Sequence, residues 1–207
     1  MTLVDKTVRE LLASFSSPAP TPGGGSASAL ASALGASLLV MVGSLSKTRS
    51  GSDDEKVALA AAVQALTGVS GRLTDAVDAD AAAYDEVVAA YKLPKASPGE
   101  RATRKAAIQQ ALRAATDVPL AVMRLSADAL EHATTIAEDG YDGAASDVGV
   151  ALALLGAGLR GAHLNVDINL ASSKDQAYVK AARAEADGHA RRGESAVRTA
   201  EESLVNP

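Results

Sequence analysis

Residues 53–92, DDEKVALAAAVQALTGVSGRLTDAVDADAAAYDEVVAAYK, decide the fold class of this chain. The stretch contains no proline, and its apolar residues recur at the three- and four-residue spacing of a helix. Acidic residues at its start suit the positive end of a helix dipole, and Pro94 lies just beyond its end. The pattern predicts one long, uninterrupted helix with a side that faces a core.

The rest of the chain has the same helical character, with short breaks rich in proline and glycine and no alternating strand pattern. Ser97, Pro98 and Glu100 form a predicted capping box, and Pro119 must end or kink the helix that this box opens. We therefore predict an all-α bundle of long antiparallel helices. Besides residues 53–92, the predicted helices cover residues 4–15, 26–47, 97–119, 119–138, 146–172 and 175–204.

The composition excludes several classes of protein. With 207 residues, 47% hydrophobic and 22% charged, the chain is long enough for a single domain over residues 1–207. The net charge of −5 gives no basic field for nucleic acid. The chain has no cysteine, and its three histidines are too far apart for a short metal-binding motif, which argues against a zinc hydrolase.

The terminal and apolar segments bear on location and assembly. Four of the first ten residues are charged, where an export signal needs an apolar run, so we expect a cytoplasmic protein. Residues 26–46 carry no charge, but their many serines and glycines favour a close-packed buried helix over a membrane span, and residues 148–159 are interpreted likewise. Because the helix faces carry few large side chains, we expect the bundle to form a dimer.

One carboxylate lies on the core-facing side of the helix at residues 53–92. Asp78 lies about 200° from Asp80 around an ideal helix, on the side expected to face water. Asp80 has two interpretations: it pairs with an arginine or caps a neighbouring helix, or it is a partly buried acid whose shifted pKa suits acid–base catalysis. Its stripe contains Leu73, Ala76, Asp80, Tyr84, Val87 and Tyr91.

A second polar stripe lies on the predicted helix at residues 146–172. Ser146 followed by Asp147 is typical of an N-cap and a first-turn acid. The rise from Asp147 to Asn165 is about 27 Å, so the two side chains serve opposite ends of a long ligand or two different sites. The stripe contains Asp147, Ala151, Leu154, Gly158, Ala162, Asn165 and Asn169.

The glycine-rich turn PGGGS at residues 22–26 is a further candidate feature. Its bare backbone permits close approach, and the helix start presents free N–H groups to an anion or a carbonyl. The turn lacks the lysine of a P-loop and the third glycine of a dinucleotide-binding motif. Three basic residues at predicted helix ends or in loops are either solvated or bind a carboxylate: Lys47, Arg49 and Lys95.

Six motifs occur in the order and approximate spacing of one family. They are PGGGS at 22–26, VDADAAAY at 77–84, LPK at 93–95, VPL at 118–120, SD at 146–147 and NVDINL at 165–170. From about residue 4 to about residue 190, the chain resembles the cyclodeaminase/cyclohydrolase family. This family comprises the C-terminal domain of formimidoyltransferase-cyclodeaminase and bacterial methenyltetrahydrofolate cyclohydrolases. The resemblance implies a dimeric helical bundle that binds tetrahydrofolate, the one-carbon carrier, without a metal.

The resemblance also implies roles for individual residues. The family's aspartate falls on Asp80 or Asp78, and the stripe selects Asp80 as the group that handles protons when 5,10-methenyltetrahydrofolate is hydrolysed to 10-formyltetrahydrofolate. Asp147 is a further candidate acid. The implied contacts with the substrate are Gly23, Gly24, Gly25, Ser26, Lys47, Arg49, Tyr84, Lys95, Ser146, Asn165 and Asn169.

Two alternatives stay open at this point. One is a formimidoyltetrahydrofolate cyclodeaminase, in which Asp80 assists ring closure and ammonia release; a chain without a formimidoyltransferase segment favours the cyclohydrolase. The other is a non-catalytic bundle that binds folate or a protein partner. Gly140-Tyr141 stands where family members often have Gly-Asn, so we expect an asparagine contact with the ligand to be missing or replaced.

Overall fold

Six helices and one 3₁₀ turn make up the computed structural model, which describes residues 2–205. Within that range the backbone forms no strand, and Thr48 and Gly140 make an isolated bridge. The predicted all-α fold is confirmed. The elements are α1 Val8–Phe15, α2 Gly24–Gly43, α3 Asp53–Lys92, α4 Pro98–Asp139, the 3₁₀ turn Asp142–Ala144, α5 Ala145–Ser172 and α6 Gln176–Val205.

Capping boxes fix where three of the helices begin. Ser97 and Glu100 form the predicted box at the start of α4, and matching pairs open α1 and α3. At α3, Glu55 also accepts the Thr48 hydroxyl at 2.6 Å, and this hydrogen bond is the main reason that the pKa of Glu55 falls to about 2. The loop between α2 and α3 is therefore fastened to the first turn of α3.

Several predicted boundaries are wrong. The first helix begins at Val8 rather than at residue 4, because Thr7 is its N-cap. The second helix begins at Gly24 and ends at Gly43, so Lys47 lies in the following loop. Ser146 is not an N-cap, because the 3₁₀ turn runs directly into α5 and puts Ala144 at that position.

Pro119 lies inside α4, so of the two predicted alternatives, a helix end or a kink, the end is wrong. Proline has no N–H to donate to the carbonyl four residues earlier, which here belongs to Ala115. The side-chain nitrogen of Asn169, on α5, donates to that carbonyl at 2.8 Å. Packing between helices replaces the missing hydrogen bond, and α4 continues to Asp139.

The helices pack around α4, which contacts α2, α3, α5 and α6. α2 lies between α3 and α5, and α5 lies between α2 and α6. Short connections make successive helices from α2 to α6 antiparallel neighbours. The largest side chains of the core are fully buried: Leu39, Leu66, Leu73, Met123, Leu130, Ile136 and Leu155.

Small residues bring α2 and α5 into close contact. A Cβ atom added at Gly35 would lie 2.8 Å from the carbonyl oxygen of Ala151, and one added at Gly158 would lie 2.7 Å from that of Ser28. Ser32 also hydrogen-bonds Ser126 of α4 through their hydroxyls, 2.7 Å apart. The serines and glycines that argued against a membrane span are thus used in packing between helices.

Three helical segments of the described chain are long and apolar enough to span a membrane: Gly24–Gly43, Asp53–Lys92 and Asp142–Ser172. In the most apolar of them, Gly24–Gly43, 56% of the hydrophobic window is buried inside the bundle. Apolar composition here serves packing against α3, α4 and α5. The absence of a membrane partner stays a prediction.

Alanine substitutions at two glycines of α5 should change stability in opposite directions. Gly158→Ala places a Cβ against the backbone of α2 and should lower the free energy of unfolding by about 1–3 kcal/mol. Gly149→Ala meets no atom within 4 Å and should raise it by about 0.5–1 kcal/mol through helix propensity. Urea denaturation measures both changes. Equal stability of the two variants would contradict the close packing of α5 on α2.

Candidate functional site

A cleft with a volume of about 410 Å³ lies between the start of α2 and helices α3, α4 and α5. This volume is typical of small-molecule sites. Asp80 is the one charged side chain among the described residues that line the cleft. The lining consists of Pro20, Thr21, Gly23, Gly24, Gly25, Asp80, Tyr84, Val87, Tyr91, Leu112, Ala115, Asn165, Ile168, Asn169 and Ser172.

The Asp80 carboxylate, on α3, is bound to the first turn of α2. The hydroxyl of Ser26 donates to Oδ2 of Asp80 at 3.0 Å, and the backbone N–H of Ser26 also donates to the carboxylate. Ser26 is the third residue of α2, so its N–H has no acceptor within its own helix. Asp80 therefore caps α2 from the neighbouring helix, where the helix dipole also favours negative charge.

Gly25 makes this contact possible. A Cβ atom at residue 25 would lie 2.7 Å from Oδ2 of Asp80, closer than ordinary van der Waals contact. A Cβ atom at Gly24 would lie 3.5 Å from Nδ2 of Asn165. Gly25 thus lets the start of α2 approach the carboxylate of α3, whereas a side chain at residue 24 would make only ordinary contact with Asn165 of α5.

Burial raises the pKa of Asp80 above that of an ordinary aspartate, and the two hydrogen bonds from Ser26 lower it by a smaller amount. Because the folded state favours the protonated acid, the contribution of Asp80 to stability falls as the pH rises through the folded-state pKa. This carboxyl therefore loses its proton at a higher pH than the carboxyl of a solvent-exposed aspartate does. Asp80 thus caps a helix and is also a partly buried acid, and its role in acid–base catalysis stays a prediction.

Two asparagines on successive turns of α5 add neutral polar groups to the cleft. Nδ2 of Asn165 donates to the carbonyl of Gly161, and Nδ2 of Asn169 donates to that of Ala115, both at 2.8 Å. Each side chain keeps its amide oxygen as an acceptor. The cleft therefore offers one carboxylate and two amide oxygens, a set suited to a ligand with N–H donors or positive charge.

The structure brings most of the predicted ligand contacts together. Gly23, Gly24, Gly25, Tyr84, Asn165 and Asn169 line the cleft with Asp80. Ser26 is fully buried behind the carboxylate. Lys95 is exposed in the loop after α3, beyond the end of the cleft that Tyr91 lines. No described hydrogen bond or ion pair involves the ammonium group of Lys95.

Other predicted residues lie at the far end of the bundle. Lys47 and Arg49 follow α2, which rises about 30 Å from its start at the cleft. Arg49 pairs with Asp142 at 3.1 Å. Ser146 and Asp147 are in the first turn of α5, about 27 Å along the helix from Asn165. None of these four side chains lines the cleft.

Tyr141, which stands where an asparagine was expected, lies at the same far end. Its ring centroid is 5.2 Å from Nζ of Lys47, a cation–π contact. Tyr141 does not line the cleft, so the replacement leaves the surroundings of Asp80 unchanged. The expected loss or replacement of an asparagine contact with the ligand at this residue stays a prediction.

Asp78 has a structural partner instead of a place in the cleft. Its carboxylate accepts the backbone N–H of Leu3 at 2.5 Å and that of Val4 at 3.5 Å. The expectation that Asp78 faces water was wrong, because the side chain is half-buried beneath the N-terminal segment. Leu3 in turn packs against the core.

Sequence reasoning missed the part of the cleft that distant segments supply. Leu112 and Ala115 come from α4, and Ile168 and Ser172 come from α5; no local pattern marks them as neighbours of Asp80. Tyr91 was on the Asp80 stripe and could have been proposed. Its carbonyl accepts Nη2 of Arg104 at 2.9 Å, and that guanidinium lies 5.5 Å from the Tyr91 ring centroid.

The polar groups of the cleft do not form a metal site. Across residues 2–205, no group of three or more histidine, aspartate or glutamate side chains is placed to hold a metal ion. The cleft itself contributes one carboxylate and neutral oxygen groups. These groups can supply hydrogen bonds, one negative charge and an exchangeable proton.

The fold and the cleft define a helical bundle with a single acid held at a helix start. Residues 7–188 match the model of the formiminotransferase-cyclodeaminase family. The chain is 38% identical to a methenyltetrahydrofolate cyclohydrolase of Methylorubrum extorquens, over 89% of this chain and 88% of that protein. It is 35% identical to the formimidoyltransferase-cyclodeaminase of Rattus norvegicus, over 85% of this chain and 32% of that protein.

A solved structure supports the same relationship. The crystal structure of a formiminotetrahydrofolate cyclodeaminase from Thermotoga maritima superposes with a TM-score of 0.86 at 27% identity, covering 97% of this chain and 96% of that one. The chain therefore belongs to the formiminotransferase-cyclodeaminase family. The resemblance inferred from the six motifs is confirmed, as is the prediction of a folate enzyme class at the level of the family.

Replacing Ser26 should raise the pKa of Asp80 further, because the serine hydroxyl stabilises the carboxylate. The carboxyl carbon of Asp80, followed by NMR during a pH titration, should have its midpoint at a higher pH in Ser26→Ala than in the wild type. Ser28→Ala is the matched control on the same helix, since this hydroxyl donates to the carbonyl of Gly24. An unchanged midpoint in Ser26→Ala would contradict the assigned hydrogen bond.

Proposed function

We propose that this protein hydrolyses 5,10-methenyltetrahydrofolate to 10-formyltetrahydrofolate. The observation that carries the proposal is the half-buried Asp80 carboxylate, the one charge among the described lining residues of the cleft. The methenyl bridge between N5 and N10 is an amidinium cation, and an opposing carboxylate stabilises it in a partly desolvated site. The 38% identity to a methenyltetrahydrofolate cyclohydrolase supports the same substrate.

In the proposed mechanism, Asp80 acts as a general base and then as a general acid. Its carboxylate takes a proton from the water that attacks the cationic bridge carbon, which gives a neutral tetrahedral adduct. Asp80 then protonates N5 as the bond from carbon to N5 breaks. The adduct's hydroxyl loses its proton, and the formyl group stays on N10. Hydrolysis thus consumes one water and releases one proton.

Cyclodeamination is the second candidate, and the similarity in fold to a formiminotetrahydrofolate cyclodeaminase favours it. In this reaction N10 attacks the formimidoyl carbon, and ammonia leaves after Asp80 has supplied a proton to the leaving nitrogen. The same cleft and the same acid serve both reactions. Assaying ammonia release from formimidoyltetrahydrofolate beside the loss of methenyl absorbance separates them; we expect hydrolysis to be faster.

The proposed reaction uses tetrahydrofolate as the one-carbon carrier and needs no metal, because the bridge carbon is already cationic. Added EDTA should therefore leave the rate of hydrolysis unchanged. We also propose that the protein acts in the cytoplasm.

A non-catalytic folate-binding bundle is the remaining alternative. A protein that binds folate in calorimetry but turns over neither substrate would belong to that class.

Asp80→Asn should greatly reduce turnover while the fold is kept. The amide oxygen still accepts the hydroxyl and N–H of Ser26, so α2 stays capped, but the side chain no longer takes a proton. We expect the rate to fall by about 10²- to 10⁴-fold, with an unchanged circular dichroism spectrum.

Asp78→Asn tests the other aspartate of the motif. We expect it to retain turnover and to loosen only the N-terminal segment, because Asp78 binds the backbone of Leu3 outside the cleft. Retained activity in Asp80→Asn together with lost activity in Asp78→Asn would reverse the assignment.

We also propose that two copies associate through α2 and α5. Large apolar side chains are exposed on these adjacent helices, and α2 carries no charged residue. Monomeric proteins rarely leave large contiguous apolar patches open to water. Ile168, 69% exposed, also lines the cleft, so a second copy on this face would border the ligand. The face comprises Leu34 and Met41 of α2 and Val150, Leu164 and Ile168 of α5.

Sedimentation velocity tests the dimer. The mass obtained for the wild type should be twice the 20.8 kDa of one chain. Leu34→Glu should sediment as a monomer, because association would bury the charge of the glutamate in the interface. Val57→Glu, at an exposed apolar residue of α3, is the matched control and should leave the dimer intact. A monomeric wild type at micromolar concentration would refute the proposed interface.

A further inference from the structure

The carbonyl group that Pro119 leaves free lies beside the cleft. Ala115 is 9% exposed, so a carbonyl there without a donor would be costly to bury. No N–H at residue 119 can serve it, because proline has none. The donor is instead Nδ2 of Asn169, at 2.8 Å from the Ala115 oxygen. Both Ala115 and Asn169 line the cleft.

This hydrogen bond fixes the orientation of the Asn169 amide. A carbonyl oxygen only accepts, so the amide nitrogen, not the amide oxygen, must face Ala115. The planar amide then presents its oxygen on the other side, as an acceptor. Asn165, one turn earlier, is oriented differently: its nitrogen donates to the carbonyl of Gly161 in its own helix. Asn169 alone of the two depends on α4.

If residue 119 were not proline, its backbone N–H would donate to the Ala115 carbonyl, as in any regular α-helix. Nδ2 of Asn169 would then have to share an acceptor that proline withholds from the backbone of α4. The proline that interrupts the hydrogen bonds of α4 thus creates the acceptor that holds a side chain of α5.

We propose that Pro119 is a positioning residue of the ligand site: the carbonyl of Ala115 that it frees orients Asn169, whose amide oxygen accepts a hydrogen bond from an N–H group of the substrate. The identity of that substrate rests on the proposed function, since a folate carries such donors on its pteridine ring and in its glutamyl amide. Asn169 contacts the substrate, and Pro119 acts through it.

Pro119→Ala tests the proposal, with Pro98→Ala as the matched control. Pro98 is the first residue of α4, where a backbone N–H has no acceptor within the helix. Replacing Pro98 by alanine therefore leaves the hydrogen bonds of every helix carbonyl unchanged. We expect Pro119→Ala to raise KM for 5,10-methenyltetrahydrofolate by about three- to tenfold, as loss of one hydrogen bond does. The kcat value should change less than KM, and Pro98→Ala should match the wild type in both.

Two readouts report on the link between Pro119 and Asn169 without any substrate. The side-chain amide protons of Asn169 should exchange with water faster in Pro119→Ala than in the wild type or in Pro98→Ala. Asn169→Ala should lower the melting temperature more in the wild-type background than in the Pro119→Ala background, where the Ala115 carbonyl has a donor in its own helix.

The outcomes separate this inference from the proposed function. An unchanged KM in Pro119→Ala, or equal melting losses in both backgrounds, would overturn the positioning role while leaving the hydrolysis intact. A wild type that turns over neither folate substrate would overturn the proposed function; the exchange and melting experiments would still decide whether Pro119 orients Asn169.

Discussion

The contact between the Asp80 carboxylate and the first turn of α2 organises the cleft. It joins a side chain in the middle of α3 to backbone and hydroxyl donors of Ser26. The contact requires glycine at residue 25, because a Cβ there would occupy the space of the carboxylate. It fixes the start of α2 against α3. The remaining features of the cleft follow from this arrangement.

A carboxylate that caps a helix usually has a lowered pKa, since its donors and the helix dipole stabilise the charge. Asp80 differs because burial outweighs the two hydrogen bonds, and its pKa is raised. The same group is therefore held in place by α2 and still able to exchange a proton. This combination lets one acid serve as part of the fold and also as the proton-exchanging group of the proposed reaction.

The sequence predicted the features that depend on spacing along one helix. The stripe on α3 placed Asp80, Tyr84 and Tyr91 on one side, and all three line the cleft. It could not predict relations between distant segments. Nothing near residue 119 indicates that Asn169 will satisfy the Ala115 carbonyl, so the sequence predicted that the helix ends or kinks at Pro119, and in the structure it continues. Lys47 and Arg49, in contrast, could have been excluded from the cleft, because the predicted helix at residues 26–47 already separates them from the glycine-rich turn by about 30 Å.

The pH dependence of kcat/KM for 5,10-methenyltetrahydrofolate hydrolysis, compared with the NMR titration of Asp80 in the free protein, tests the proposed role of Asp80 most directly. This kinetic ratio reports the ionisation of the free enzyme. We expect it to rise with pH, with a midpoint that coincides with the titration of the Asp80 carboxyl and lies above the pKa of an ordinary aspartate. A rising limb at a different pH, or none, would contradict the assignment of Asp80 as the base.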